Sequence, residues 1–192
     1  MYLRCFIAVD IPEQIKKGIG EMIAVLKKYN ADVKWVVHEN LHLTLKFLGK
    51  TPEDLIPRIG KSLSEIALSY KPFCIKIYGM GLFPNKKYTR VIWVGIEDSD
   101  FLENLQKDIE NAMELSGYPK EGRQFHPHLT IGRVRSQKGM VQIIHEVDNL
   151  QNKDFGTVEI SNIKLMRSDL KPTGAQYSCL KEIPLGRGDN EQ

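Results

Sequence analysis

His42-Leu43-Thr44-Leu45-Lys46-Phe47-Leu48-Gly49 reads as one strand, and 86 positions beyond its histidine the chain repeats the pattern as His128-Leu129-Thr130-Ile131-Gly132-Arg133. Side chains on a strand alternate between faces. Alternation puts Leu41, Leu43, Leu45 and Phe47 on one face and His42, Thr44 and Lys46 on the other, with Gly49 ending the strand. Each copy therefore offers a His and a Thr on one side and aliphatic residues to a core. Two copies suggest two strands facing each other, with paired imidazoles over one site.

The elements around these strands follow from periodicity. Residues 2–9 read as a buried strand, and Ile15, Ile19, Met22, Ile23, Leu26 and Tyr29 form a helical stripe. Val33–Val37 is a short strand. Leu55, Ile59, Leu63 and Ile66 mark a second helix that starts near Pro57, since proline is tolerated only in the first turn. Strands at 73–80 and 90–97 flank the loop Phe83-Pro84-Asn85-Lys86-Lys87-Tyr88-Thr89-Arg90. Phe101, Leu102, Leu105, Ile109, Ala112 and Met113 give a third helix capped by Ser99. Met140, Val141, Ile144 and Val147 suggest a fourth, and strands near 157–167 and 176–184 complete the chain. This order predicts an α+β fold of mostly antiparallel sheets with outer helices. A weak internal duplication is expected, each half centred on one His/Thr strand. Residues 1–185 read as a single domain and 186–192 as a loose tail, whose Arg187-Gly188-Asp189 string is read as chance.

Composition narrows the class. An apolar fraction of 42% and a charged fraction of 27% are those of a soluble globular chain, and no apolar run is long enough to cross a bilayer as a helix. The short apolar start reaches Asp10 and Pro12 at once, so it reads as a strand and not as a signal peptide. Cys5, Cys74 and Cys179 are few, odd in number and far apart, which predicts buried free thiols in a reducing cytoplasm. A net charge of +3 would help an anionic substrate approach but does not mark a nucleic-acid binder. A monomer suffices for everything the sequence shows.

The paired motifs carry the chemistry. Cleaving a phosphodiester needs a base, an acid and donors to the phosphoryl oxygens. Two imidazoles near a pKa of about 6.5 can hold opposite protonation states near neutral pH. The Thr hydroxyls on the same face can bind the phosphate. For either histidine alone an ordinary strand residue is the better reading; the matched contexts reverse that. A zinc site using His126-Pro127-His128 is the next alternative, but no Asp, Glu or Cys lies within the two segments to complete a ligand set. His126 shares strand parity with His128, which gives it a supporting role. Lys46 has site-facing parity, with a solvated surface charge as the equal alternative. Arg133 has the wrong parity for a regular strand, and Gly132 would permit a bulge that turns it inward. The cationic, aromatic loop at 86–90 suits a single-stranded RNA contact, although an exposed hairpin loop explains it as well.

With its flanks, the pair resembles the His-x-Thr-x motifs of the two-histidine phosphoesterases. Within that superfamily the chain is most similar to the RNA 2′,3′-cyclic phosphodiesterases, also called 2′-5′ RNA ligases. The resemblance extends to Arg4-Cys5-Phe6-Ile7-Ala8-Val9-Asp10-Ile11-Pro12, to Gly81-Leu82-Phe83-Pro84 and to Val91-Ile92-Trp93-Val94-Gly95, and it runs to about Leu185. It implies a bilobal, pseudo-twofold fold with an open groove between the lobes and no metal or other cofactor. It implies His42 as proton donor, His128 as proton acceptor and Thr44 and Thr130 as phosphate ligands. The implied substrate is an RNA 2′,3′-cyclic phosphate end and the implied product a 2′-phosphomonoester, with 2′-5′ ligation as the reverse reaction. The alternatives are a phosphodiesterase for small cyclic nucleotides or 2′-5′ oligonucleotides, and a module that binds RNA ends without turnover.

Overall fold

A computed structural model describes residues 1–172 and 174–186; the Arg187-Gly188-Asp189 string and the rest of the tail lie outside them. The chain runs β1 (Tyr2–Val9), α1 (Glu13–Lys27), β2 (Val33–Trp35), β3 (Leu43–Pro52), α2 (Ile56–Ala67), β4 (Phe73–Phe83), β5 (Val91–Glu97), α3 (Asp100–Leu115), β6 (His128–Val134), α4 (Met140–Asn149), β7 (Asp154–Ile160), β8 (Asn162–Lys171) and β9 (Gly174–Pro184). The strands form two antiparallel sheets. One has the order β3-β1-β8-β9 and the other β2-β6-β5-β4-β7. This is the α+β architecture that the element order predicts.

Each helix forms where an apolar stripe recurs at helical spacing. Ile19, Ile23 and Leu26 of α1, Ile59, Leu63 and Ala67 of α2, Leu102, Leu105, Ile109 and Met113 of α3, and Met140, Ile143 and Val147 of α4 are all buried. Pro57 lies in the first turn of α2, where no hydrogen bond is lost. The helices exchange sheets. α1 lies against β7 and α4 against β4, over the five-stranded sheet; α2 lies against β8 and β9, and α3 against β3 and α2, over the four-stranded sheet. One continuous apolar core spans both sheets.

Three local expectations are corrected. Gly49 does not end the strand: it takes φ 68° inside an irregular stretch of β3, which continues to Pro52. The expected strand at 157–167 breaks at Ser161, so that β7 joins one sheet and β8 the other. Cys5 is buried, but Cys74 and Cys179 are exposed; Cys74 alternates outward between buried Phe73 and Ile75.

Candidate active site

Residues Leu41–Leu43 bring His42 to the start of β3, and His128 opens β6. Each imidazole is held in the same way. His42 Nδ1 lies 2.7 Å from the Asn40 carbonyl oxygen, and His128 Nδ1 lies 2.7 Å from that of His126. A carbonyl oxygen only accepts, so both Nδ1 atoms carry the proton and donate it. Neither Nε2 atom has a hydrogen-bond partner among the described residues. His126 thus serves His128 through its main chain, while its own ring is exposed and lies 6.4 Å from that of Phe83.

Aromatic rings wall both histidines. His42 packs at 4.8 Å from Phe6 and edge-on at 5.0 Å from Tyr177. His128 meets Phe83 edge-on at 5.1 Å and Trp93 at 6.5 Å. Glycines make room for that second wall: a Cβ at Gly81 would fall 2.1 Å from the Trp93 ring. The indole N–H of Trp93 is buried and has no protein partner. Desolvation by these walls is the largest influence on each imidazole and pushes both below the ordinary histidine value; the Arg133 guanidinium pushes in the same direction on both. Arg133 also holds down the Tyr177 hydroxyl, against the larger upward effect of burial. One cation therefore acts on the surroundings of both histidines, whose strands β3 and β6 approach each other; the side they share is the groove.

The bulges decide which residues face this groove. Ala8 pairs with Thr44 and Ile7 with Lys46, so Leu45 is an extra residue in β3. Trp93 pairs with Thr130 and Ile92 with Gly132, so Ile131 is the equivalent extra residue in β6. An extra residue inverts the alternation beyond it. Phe47 and Arg133 thereby return to the side of the histidines and are exposed, whereas Lys46 turns inward and is buried. The expected bulge is present one residue before Gly132, and it puts Arg133 on the side of the histidines. The same device in β3 corrects the reading of Lys46 and Phe47, whose faces are exchanged. Lys46 Nζ, 1% exposed, is bound to Glu110 Oε2 at 2.7 Å and to the Pro119 carbonyl at 3.0 Å, so it is not a groove residue.

Thr44 and Thr130 are half-buried on the groove side, and neither hydroxyl has a protein partner among the described residues. Arg133 likewise has no carboxylate partner among them. Asp10, at the end of β1, binds Lys16 at 2.7 Å and Lys164 at 2.9 Å, and its charge and that of Lys16 both reach His42. Sequence reasoning missed this triad, together with Phe6, Tyr177, Phe83 and Trp93 as site walls. Phe6, Phe83 and Trp93 lie in the flanking segments that carry the resemblance, which hints at three of the four walls. The cationic loop at 86–90 is partly spoken for, since Lys86 pairs with Asp148 at 2.7 Å. Among the described residues no three His, Cys, Asp or Glu side chains converge as a metal-ligand set would.

Two lobes, each presenting one His-x-Thr strand to a shared groove, define a phosphoesterase of the two-histidine class. The chain belongs to the LigT-like phosphoesterase family, whose model matches it twice, over residues 9–93 and 94–177. The double match divides the chain as the internal duplication does, with one motif in each half. The chain is 36% identical over 185 residues to the RNA 2′,3′-cyclic phosphodiesterase of Methanothermobacter thermautotrophicus, covering 96% of this chain and 100% of that one. It is 38% identical to the protein of the same name from Methanocaldococcus jannaschii, covering 94% and 99%. The crystal structure of TT0787 from Thermus thermophilus superposes with a TM-score of 0.81 at 28% identity, covering 98% and 100%. E. coli LigT complexed with 3′-AMP shares the fold, with a TM-score of 0.74 at 24% identity, covering 96% and 99%.

Proposed function

We propose that the groove hydrolyses RNA 2′,3′-cyclic phosphate ends to 2′-phosphomonoesters, with His42 as acid and His128 as base. What supports this is the matched fixing of both imidazoles: each Nδ1 is committed to a carbonyl, which leaves each Nε2 to exchange a proton, and the Arg133 charge acts on both rings. Water attacks phosphorus in line with O3′. The P–O bond to water forms and the P–O3′ bond breaks. The water proton passes to His128 Nε2, and the His42 Nε2 proton passes to O3′. Thr44, Thr130 and Arg133 donate to the phosphoryl oxygens, where charge accumulates. The assignment of acid to His42 and base to His128 comes from the family resemblance, because the near-symmetric geometry favours neither order.

Metal independence is part of the proposal. The Arg133 guanidinium, whose charge acts on both imidazoles, would repel a cation and attract a phosphate. Run backward, the same steps would join a cyclic phosphate end to a 5′-hydroxyl in a 2′-5′ linkage, but water at about 55 M outcompetes an RNA end. RNA is the proposed partner, and the protein acts as a monomer in the cytoplasm. Among the described residues no helix is long and apolar enough to cross a membrane.

The test is turnover of a short RNA with a 2′,3′-cyclic phosphate end in excess EDTA, followed by phosphorus NMR. The expected product is the 2′-phosphomonoester. A 3′-phosphate would overturn the assigned leaving oxygen, and turnover only after adding a divalent ion would overturn metal independence. No turnover under either condition would overturn the substrate.

A further inference from the structure

The two histidines are reached by two crossovers, one after α1 (residues 28–42) and one after α3 (residues 116–128). The first is pinned to the strand of the other motif by its main chain. Val33, Lys34 and Trp35 of β2 pair with Val134, Arg133 and Gly132, and Val36 N–H donates to the Ile131 carbonyl at 2.9 Å. The second crossover contains no strand. It is pinned at Lys46, and Lys46 is the residue of β3 that corresponds to Gly132 of β6. Its Nζ reaches the Pro119 carbonyl at 3.0 Å and Glu110 Oε2 at 2.7 Å. The same carboxylate oxygen accepts the Glu121 N–H at 3.4 Å, and Gln106 Nε2 donates to Glu110 Oε1 at 3.3 Å.

We propose that Lys46 and Glu110 are positioning residues for His128: their buried ion pair holds the crossover 116–127 against the first motif strand, and so fixes the His126 carbonyl that orients the imidazole. In this half a side-chain pair replaces what β2 does in the other. Packing alone does not call for charge here, since burying both charges costs desolvation that an apolar pair avoids. What the ions add is hold on two main-chain groups, Pro119 C=O and Glu121 N–H. Residues 122–124, between this anchor and Phe125, are exposed, so the anchor, with buried Tyr118 and the Lys120–Glu114 pair, holds the segment on that side. The inference rests on the proposed role of His128.

The experiment compares the wild type with Lys46→Met/Glu110→Leu. Apolar replacement of a buried ion pair is often neutral or stabilising, so the double variant should melt near the wild type while its crossover is released. We expect kcat on cyclic-ended RNA to fall about 10- to 100-fold, with a much smaller change in KM, as small misplacements of a reacting group do. In NMR spectra the His128 Nδ1–H signal and its titration should shift, and those of His42 should not. Wild-type kcat in a folded double variant would overturn the proposal, as would His42 shifting as much as His128. If the double variant does not fold, Glu110→Gln keeps an acceptor for both partners and should give a smaller change with the same His128 preference; equal or absent shifts would overturn the proposal. An inactive wild type would overturn the proposed function and leave the NMR comparison standing.

Discussion

The half of the molecule around His42 and the half around His128 share a backbone plan and differ in what they mount on it. Both tie Nδ1 to the carbonyl two residues upstream, both wall the ring with aromatics, and both insert a bulge three residues after the histidine. Beyond the bulge they diverge: Phe47 faces the groove in one half and Arg133 in the other, while the inward position holds the Lys46 side chain in one half and, at Gly132, is taken by Val33 and Trp35 of β2 in the other. Gly132 is required there, because a Cβ would fall 2.8 Å from Val33 and 3.1 Å from the Trp35 ring on β2. The shared plan yields two interchangeable-looking imidazoles. The differences give the groove a polarity, with an apolar ring in one half and a cation in the other.

The largest effects should come from breaking the symmetry at the histidines. His42→Ala and His128→Ala are each expected to lower kcat by about 10²–10⁴ on cyclic-ended RNA, the usual span for a proton-transfer group. The two should separate on an aryl phosphodiester whose leaving group needs no proton. His42→Ala would recover much of its rate there, and His128→Ala would not, because water still needs a base. Recovery by His128→Ala instead would reverse the assigned roles, and equal recovery would erase the distinction between the halves.

How much of this was legible in the sequence divides along the same line. The helices, the sheets' antiparallel character and the two His/Thr faces follow from periodicity, because burial sets alternation and helical spacing directly. The positions after each bulge do not follow. An extra residue leaves no mark in a run such as Leu43-Thr44-Leu45-Lys46-Phe47, where every residue suits a regular strand. In β6 the glycine flags the irregularity, so the inversion at Arg133 is legible; in β3 nothing does, and regular alternation assigns Lys46 to the wrong face. The Asp10–Lys16–Lys164 triad was illegible for another reason. Asp10 and Lys164 are 154 positions apart, and only the pairing of β1 with β8 makes them neighbours.

The contrast between Phe47 and Arg133 should be next in size. Arg133→Gln removes the charged donor proposed for the phosphoryl oxygens and is expected to lower kcat/KM by about 10²–10³, in the range for loss of one preorganised donor. Phe47→Ala removes a ring that touches no developing charge, so its cost should be about tenfold or less and should appear in KM. Steady-state kinetics on a cyclic-ended oligomer reads both. A larger loss in kcat for Phe47→Ala than for Arg133→Gln would contradict the polarity assigned to the groove.

The smallest effect is on protonation, and there Arg133 makes the two halves behave alike. Burial first and the Arg133 charge further down the order of causes depress both imidazoles, so both should titrate below about 6.5 by NMR in the free protein. A depressed histidine binds fewer protons folded than unfolded, so stability is present above about pH 6.5 and is lost as pH falls through the lowered folded values. Turnover needs one imidazole charged and the other neutral, so the bell for kcat/KM should peak on the acid side of 6.5. Bound phosphate, being anionic, favours the imidazolium and should move the kcat bell to higher pH. Arg133→Gln removes a positive charge that acts on both rings. Both midpoints should therefore rise together, and the kcat/KM bell should move to higher pH with them. If only one imidazole responds, Arg133 belongs to one half of the groove and the common electrostatic environment fails.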